Sequence, residues 1–165
     1  MPNLRDESKI KVTGYKGEFT ASMDSKNRFT LPATLRKTPP KTKSRSKNTK
    51  DRFVITRGLD GGLALYPVTE WIKIEEKISE GSYTQPEARY FRRVLFGSAV
   101  EVVLDSQGRI PLSKLHQEIS GIDKELIVVG NGTFIELWSP EKYNAYLGRP
   151  DMNFEDAAKN SNAEL

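Results

Sequence analysis

Apolar and polar positions along the chain fall into short runs bounded by turn residues, and the runs come in two matching sets. "EFTASM" (18–23) and "AVEVVL" (99–104) have strand patterning, and each ends at an Asp able to hydrogen-bond the backbone ahead of it in a turn. An apolar stretch and a short helix follow in "LPATLRK" and "LSKLHQEIS", then two strands around a Gly turn in "FVITRGLDGGLALYP" and "ELIVVGNGTFIELWS". A helix closes each set. In "VTEWIKIEEKIS" Trp71, Ile74 and Ile78 form one apolar stripe. In the other set Ser139 suits an N-cap and Pro140 the first helical position, ahead of "EKYNAYL". Between the sets, "QPEARYFRRVLFGS" predicts a helix from Pro86 with Ala88, Phe91 and Leu95 on one face and Arg89, Arg92 and Arg93 elsewhere.

The two sets are copies. An offset of 81 superposes Asp24 on Asp105, Ser25 on Ser106, Arg28 on Arg109 and Leu31 on Leu112. Further on, an offset of 72 superposes Val54-Ile55 on Leu126-Ile127, Gly58 on Gly130, Leu63 on Ile135, Leu65 on Leu137, Tyr66 on Trp138 and Trp71 on Tyr143, so the first copy carries nine extra residues between its matched blocks. A copy of about 50 residues would bury too little surface to stand alone. The pattern therefore predicts an α+β fold in which two copies, related by an approximate two-fold axis, share one core. The spans read as a first subdomain at 15–80, a connecting helix at 81–97, a second subdomain at 98–147, and flexible tails at 1–14 and 148–165. Position four of each Asp turn is Asn27 or Gly108, the residue types that most readily take positive φ, so each motif reads as a tight hairpin or strand-to-strand turn. The two-fold places both turns on one face, with Arg28 and Arg109 side by side.

Charge sharpens this picture. The 165 residues carry a net charge of +4, yet between Arg36 and Arg52 eight basic residues face Asp51 alone, a local +7 that leaves the remainder at −3. The Pro/Ser/Thr/Lys segment "KTPPKTKSRSKNTKD" has no apolar residue with which to fold and reads as a mobile loop, either simply solvated or contacting phosphates through Lys41, Lys43, Arg45 and Lys47. No apolar run approaches the roughly 18 residues of a membrane span. The N-terminus lacks the apolar region of a secretory signal, so a cytoplasmic protein is expected. Enzyme chemistry finds little to work with: His116 is the single histidine, cysteine is absent, and neither a phosphate-cradling Gly loop nor a metal-ligand spacing occurs. The expectation is no catalytic residue, no metal and no cofactor. His116 reads as a surface or helix-flank residue, and Trp71, Phe91 and Leu95 as core or subunit contacts.

An Arg just beyond a rigid turn presents five donors in a planar fork, matching a phosphate or the O6/N7 edge of guanine, and Lys26 adds a charge beside it. A two-stranded ribbon fits the DNA major groove. The same residues also read as purely structural ion pairs, Arg28 with Asp24 and Arg109 with Asp105. An RNA-binding protein or a protein-partner adaptor is a further reading of the basic surface. RNA recognition favours exposed aromatics, and the residues after the two arginines, Phe29 and Ile110, do not make a paired aromatic platform.

The two D-S-x-x-R turns, with "ITRGLDGGLALYPVTEW", "RRVLFGSAVEVVLDSQGR" and "KELIVVGNGTFIELWSPEKY", resemble the MraZ family of bacterial transcriptional regulators over about residues 15–147. The resemblance implies two SpoVT/AbrB-like β-rich subdomains. It also implies a D-x-K-G-R motif in each that contacts DNA: Asp24, Lys26 and Arg28 in the first copy, Asp105, Gly108 and Arg109 in the second. It implies promoter DNA with G-rich direct repeats as partner, upstream of a division and cell-wall gene cluster that is usually repressed. Assembly into a multi-protomer ring, a nucleoid-associated cytoplasmic location, and no membrane or small-molecule partner follow from the same resemblance. The chain departs from the pattern at Asn27, which stands for Gly, at Gln107, which stands for Lys, and in the long basic segment 36–52.

Overall fold

The computed structural model describes residues 13–37 and 51–163. In chain order the elements are β1 (Glu18–Ser22), β2 (Arg28–Thr30), α1 (Ala33–Lys37), β3 (Arg52–Arg57), β4 (Leu63–Pro67), α2 (Val68–Ser79), α3 (Pro86–Gly97), β5 (Val100–Val103), β6 (Arg109–Pro111), α4 (Lys114–Ser120), β7 (Glu125–Asn131), β8 (Phe134–Trp138), α5 (Pro140–Leu147) and α6 (Phe154–Asn160). Six strands form one antiparallel sheet in the order β1-β7-β8-β4-β3-β5, and β2 pairs with β6 in a separate ribbon.

The register carries the two-fold. At the centre of the large sheet Leu63 faces Leu137 and Leu65 faces Ile135, and exchanging the copies turns each pair into the other. In the ribbon, Arg28 opposite Pro111 exchanges with Thr30 opposite Arg109, leaving Phe29 and Ile110 on the axis. The first strand of each copy crosses over: β1 pairs with β7 of the second copy, and β5 pairs with β3 of the first. The Asp turns are therefore strand-to-strand turns and not hairpins, because the strands flanking each turn bond to the opposite copy and not to each other. Sequence patterning sees a turn between two strands but holds no information on which partners they take.

The strand offset also needs correction. Ile55 pairs with Leu65 and Val128 with Leu137, so Ile55 is the counterpart of Val128, one residue along from the match of Ile55 to Ile127. A one-residue slip moves every side chain of a strand to the opposite face, and burial decides the matter. Phe53, Ile55, Leu126 and Val128 join one core, while Val54 faces a second cluster. The extra residue lies in the first copy's hairpin, where Ile55 pairs with a residue ten positions on and its counterpart Val128 with one nine positions on.

The main core lies between the large sheet and the β2–β6 ribbon. Phe29, Leu31, Leu35, Ile55 and Leu65 from the first copy meet Ile110, Leu112, Val128, Ile135 and Leu137 from the second. Each such fully buried side chain contributes about 1.5–3 kcal/mol. On the other face Val54, Val68 and Trp71 pack with Tyr66, Leu95 and Phe96, which seats α2 and α3 on the sheet. Leu95 and Trp71 are thus core residues, whereas Phe91 is 44% exposed and lies outside it.

Local signals set the helix ends. Ser113 and Ser139 accept from the backbone N–H groups of His116 and Lys142 as N-caps, and Gly121 closes α4 in the left-handed region at φ 74°. The expected tail 148–165 instead contains α6. Asn153 caps it, its side-chain oxygen accepting from Asp156 N–H at 2.9 Å while its amide donates to the Asp156 carboxylate at 2.7 Å. Of the expected basic loop, Arg36 and Lys37 belong to α1 and Arg52 to β3. The candidate contacts Lys41, Lys43, Arg45 and Lys47 lie outside the described residues, as does most of the tail 1–14.

Candidate nucleic-acid interface

Each turn is organised by its aspartate. Asp24 Oδ1 accepts from the backbone N–H groups of Lys26 and Arg28, both at 2.9 Å, and Oδ2 accepts from Arg28 Nε at 3.0 Å. Asp105 repeats the arrangement with Gln107 and Arg109, its Oδ2 taking Arg109 Nε at 2.7 Å. Backbone bonds from Asn27 N to Asp24 O and from Gly108 N to Asp105 O close the turns. The fourth positions adopt positive φ, 56° at Asn27 and 77° at Gly108, which tolerates the exchange of Gly for Asn. That conformation points their carbonyls across the axis: Leu112 N–H donates to Asn27 O and Leu31 N–H to Gly108 O, each at 2.8 Å.

These cross-bonds lock the two turns together. Phe29 and Ile110 are buried beneath the ribbon, so strand alternation sends Arg28 and Arg109 to its other face, where both are partly exposed. Arg28 Nη1 lies 4.0 Å from Asp105 Oδ2, the oxygen that holds Arg109, so both guanidinium groups converge on one carboxylate. The structural ion pairs read from the sequence are therefore present. They engage Nε of each arginine and fix the plane of the fork.

The carboxylates are held in the charged form. Asp105 is drawn down from 3.8 to about 2, chiefly by the backbone N–H of Arg109, with desolvation opposing and the Arg109 side chain and the Gln107 N–H adding to the effect. Asp24 is lowered for the same reasons, led by the Arg28 backbone N–H.

Lys26, Ser25, Asn27 and Gln107 are exposed around this pair. Lys26 and Asn27 also border an open groove of about 460 Å³ that runs beside the edge strand β5, with Pro111, Ser113 and His116 in its wall. His116 is not a surface residue: it is 1% exposed, and its Nε2 donates to the Ser98 carbonyl at 2.7 Å, fastening α4 to the end of α3. Its place three residues after the N-cap Ser113 puts it on the inner face of a helix too short for periodicity to reveal.

One residue of this face was not singled out by its sequence. Arg36, at the end of α1, lays its guanidinium over Gly108 of the other copy, in the space a Cβ there would occupy. Gly108 is consequently buried, whereas its counterpart Asn27 is exposed. In sequence Arg36 is the first of a run of basic residues, with nothing to separate it from the rest.

Among the described residues no three His, Cys, Asp or Glu side chains form a group able to hold a metal ion, and no helix is long and apolar enough to cross a membrane.

Comparison with known proteins is consistent along the whole described chain. The family model for the MraZ protein, described as antitoxin-like, matches twice, at residues 15–94 and 95–163. The chain is 38% identical over 146 residues to a protein named transcriptional regulator MraZ from Desulforamulus reducens, covering 88% of this chain and 96% of that one. It is 39% identical over 140 residues to a protein of the same name from Corynebacterium jeikeium, covering 85% and 91%. A third of that name, from Natranaerobius thermophilus, is 37% identical over 145 residues, covering 88% and 94%.

Proposed function

The chain belongs to the MraZ family, and from that premise we propose that it is a DNA-binding transcriptional regulator whose twin Asp turns read double-stranded DNA. One observation carries the reading: two arginines, one from each copy, stand on the outer face of a single two-stranded ribbon with their planes fixed by their own aspartates. A rigid ribbon of that width suits the major groove. Fixing Nε leaves outer Nη positions of each fork to meet a base edge or a phosphate, Arg28 Nη1 being also 4.0 Å from Asp105 Oδ2, so the ion pairs through Nε prepare recognition.

In this reading Asp24 and Asp105 position, Arg28 and Arg109 read, and Lys26, Gln107 and the Gly108 backbone line the contact. Lys41, Lys43, Arg45 and Lys47 add sequence-independent phosphate contacts. The operator is a set of G-rich direct repeats ahead of the chain's own division and cell-wall gene cluster, which it represses from the cytoplasm at the nucleoid. Protomers join in a ring, so that several modest contacts over spaced repeats sum by effective concentration. The RNA-binding and adaptor readings draw less support, because Phe29 is buried and offers no stacking surface.

The test is fluorescence anisotropy of the full chain on duplex DNA from upstream of its own gene and on a scrambled duplex, across a salt series. The wild type is expected to prefer its own duplex. Arg28→Ala/Arg109→Ala is expected to lose about 1–3 kcal/mol per arginine that reads a base, multiplied over the ring. Equal binding to both duplexes, untouched by the substitutions, would refute the reading.

A further inference from the structure

We propose that Arg36 is a third DNA-contacting arginine, a phosphate contact that the first copy delivers onto the turn of the second. The inference rests on the DNA reading above and adds a residue outside both turns. Arg36 is exposed, and no carboxylate among the described residues lies within ion-pair distance of it, in contrast to Arg28 and Arg109, each tied to its own aspartate. Its guanidinium is nonetheless placed, seated on Gly108. The Gly108 carbonyl is already taken by Leu31 N–H and its N–H by Asp105 O. The seat is therefore a steric fit to a residue without a side chain, and no carboxylate of the described residues pairs with Arg36 at the face where the reading arginines stand.

The two turns explain why it is needed. The first turn has an arginine and a second cation, Lys26; the second has Gln107 where Lys would give the same pair. Arg36 restores a second cation to the second turn. The opposite exchange does not occur. At the offset of 81 the counterpart of Arg36 is Gln117, neutral and turned back to donate to the Leu112 carbonyl at 3.0 Å, and the first turn has Asn27 in place of a glycine seat. Each turn thus presents one fixed arginine and one further cation, by two different routes.

The experiment uses the full chain and the upstream duplex, with thermal unfolding of every variant. Arg36→Ala is expected to weaken binding to both specific and scrambled duplex by about tenfold, the loss of one charge-assisted contact. It should also lower the slope of log affinity against log salt by about one per engaged protomer, with the unfolding midpoint unchanged. Gln107→Lys placed in the Arg36→Ala chain is expected to restore the slope, because it returns the missing charge to the same turn. Unchanged affinity and slope in Arg36→Ala would overturn the proposal, as would a loss that follows the unfolding midpoint or one that Gln107→Lys leaves unrepaired. If the wild type does not distinguish its own duplex, the DNA reading itself fails. If it does, and only Arg28→Ala/Arg109→Ala matters, Arg36 alone has been misassigned.

Discussion

At the scale of single residues the candidate interface is built by two aspartates acting on their own turns. Each carboxylate takes two backbone N–H groups and an arginine Nε, so its charged form is stabilised in the folded chain and not in the unfolded one. A carboxylate whose folded pKa is depressed contributes stability above its unfolded pKa of about 3.9 and loses it as pH falls through the folded value. For Asp105 that window runs from about 4 down to about 2. Asp105→Asn is expected to flatten the acid limb of the stability curve between pH 4 and 2, read from urea midpoints at each pH. It should also weaken DNA binding at pH 7 although it removes a negative charge, because Arg109 loses the partner that fixes its plane. A gain in DNA affinity from Asp105→Asn would mean that the aspartate merely repels phosphate. The turn residues were legible from their recurrence, and the positive φ at Asn27 and Gly108 from residue type alone. Arg36 was not, since its seat is a glycine 72 positions away that only the fold brings beneath it.

Elements were legible where periodicity or capping was strong and were missed where they were short. The ranges of α2 and α3 follow from their apolar stripes and from Pro86, and α5 from Ser139 and Pro140. The helix α6 went unread because its core-facing pattern is weak; its signal was the Asn153–Asp156 cap and the acidic first turn. In α4, seven residues long, the inward face could not be chosen from the sequence, and His116 was placed outside when it belongs within. There it joins a buried polar seam: Thr56 donates to the Leu95 carbonyl at 2.8 Å, Ser98 bonds Thr56 at 3.0 Å, and His116 holds the Ser98 carbonyl. His116→Ala leaves that carbonyl without its donor and opens a cavity, at an expected cost of about 2–4 kcal/mol. Differential scanning should record a midpoint lower by about 5–15 °C, with DNA binding below the transition close to wild type. Retention of the wild-type midpoint would show that the seam is dispensable.

At the scale of the whole molecule, the shared core was legible from the smallness of each copy, but the exchange of first strands was not. Alternation fixes which face of β1 is buried and says nothing of the strand it lies beside. The exchange has a thermodynamic consequence. With β1 on β7, β5 on β3 and β2 on β6, neither copy closes a sheet or a core by itself, and Phe29 is covered only with Ile110 opposite. The full chain is therefore expected to unfold in one cooperative transition, with coincident loss of helix, strand and tryptophan signals. Residues 15–94 alone would leave β1 and β2 without partners and the β3–β4 pair open on both sides, but a second molecule of the same fragment can supply strands in the places of β7, β6, β5 and β8. The fragment should accordingly fold only as a dimer, with an unfolding midpoint that climbs with protein concentration. Sedimentation of the fragment alongside circular dichroism decides it. A folded monomer of 15–94 would mean that the exchanged strands are ornamental, and that the two turns owe their alignment to something other than the interlaced core.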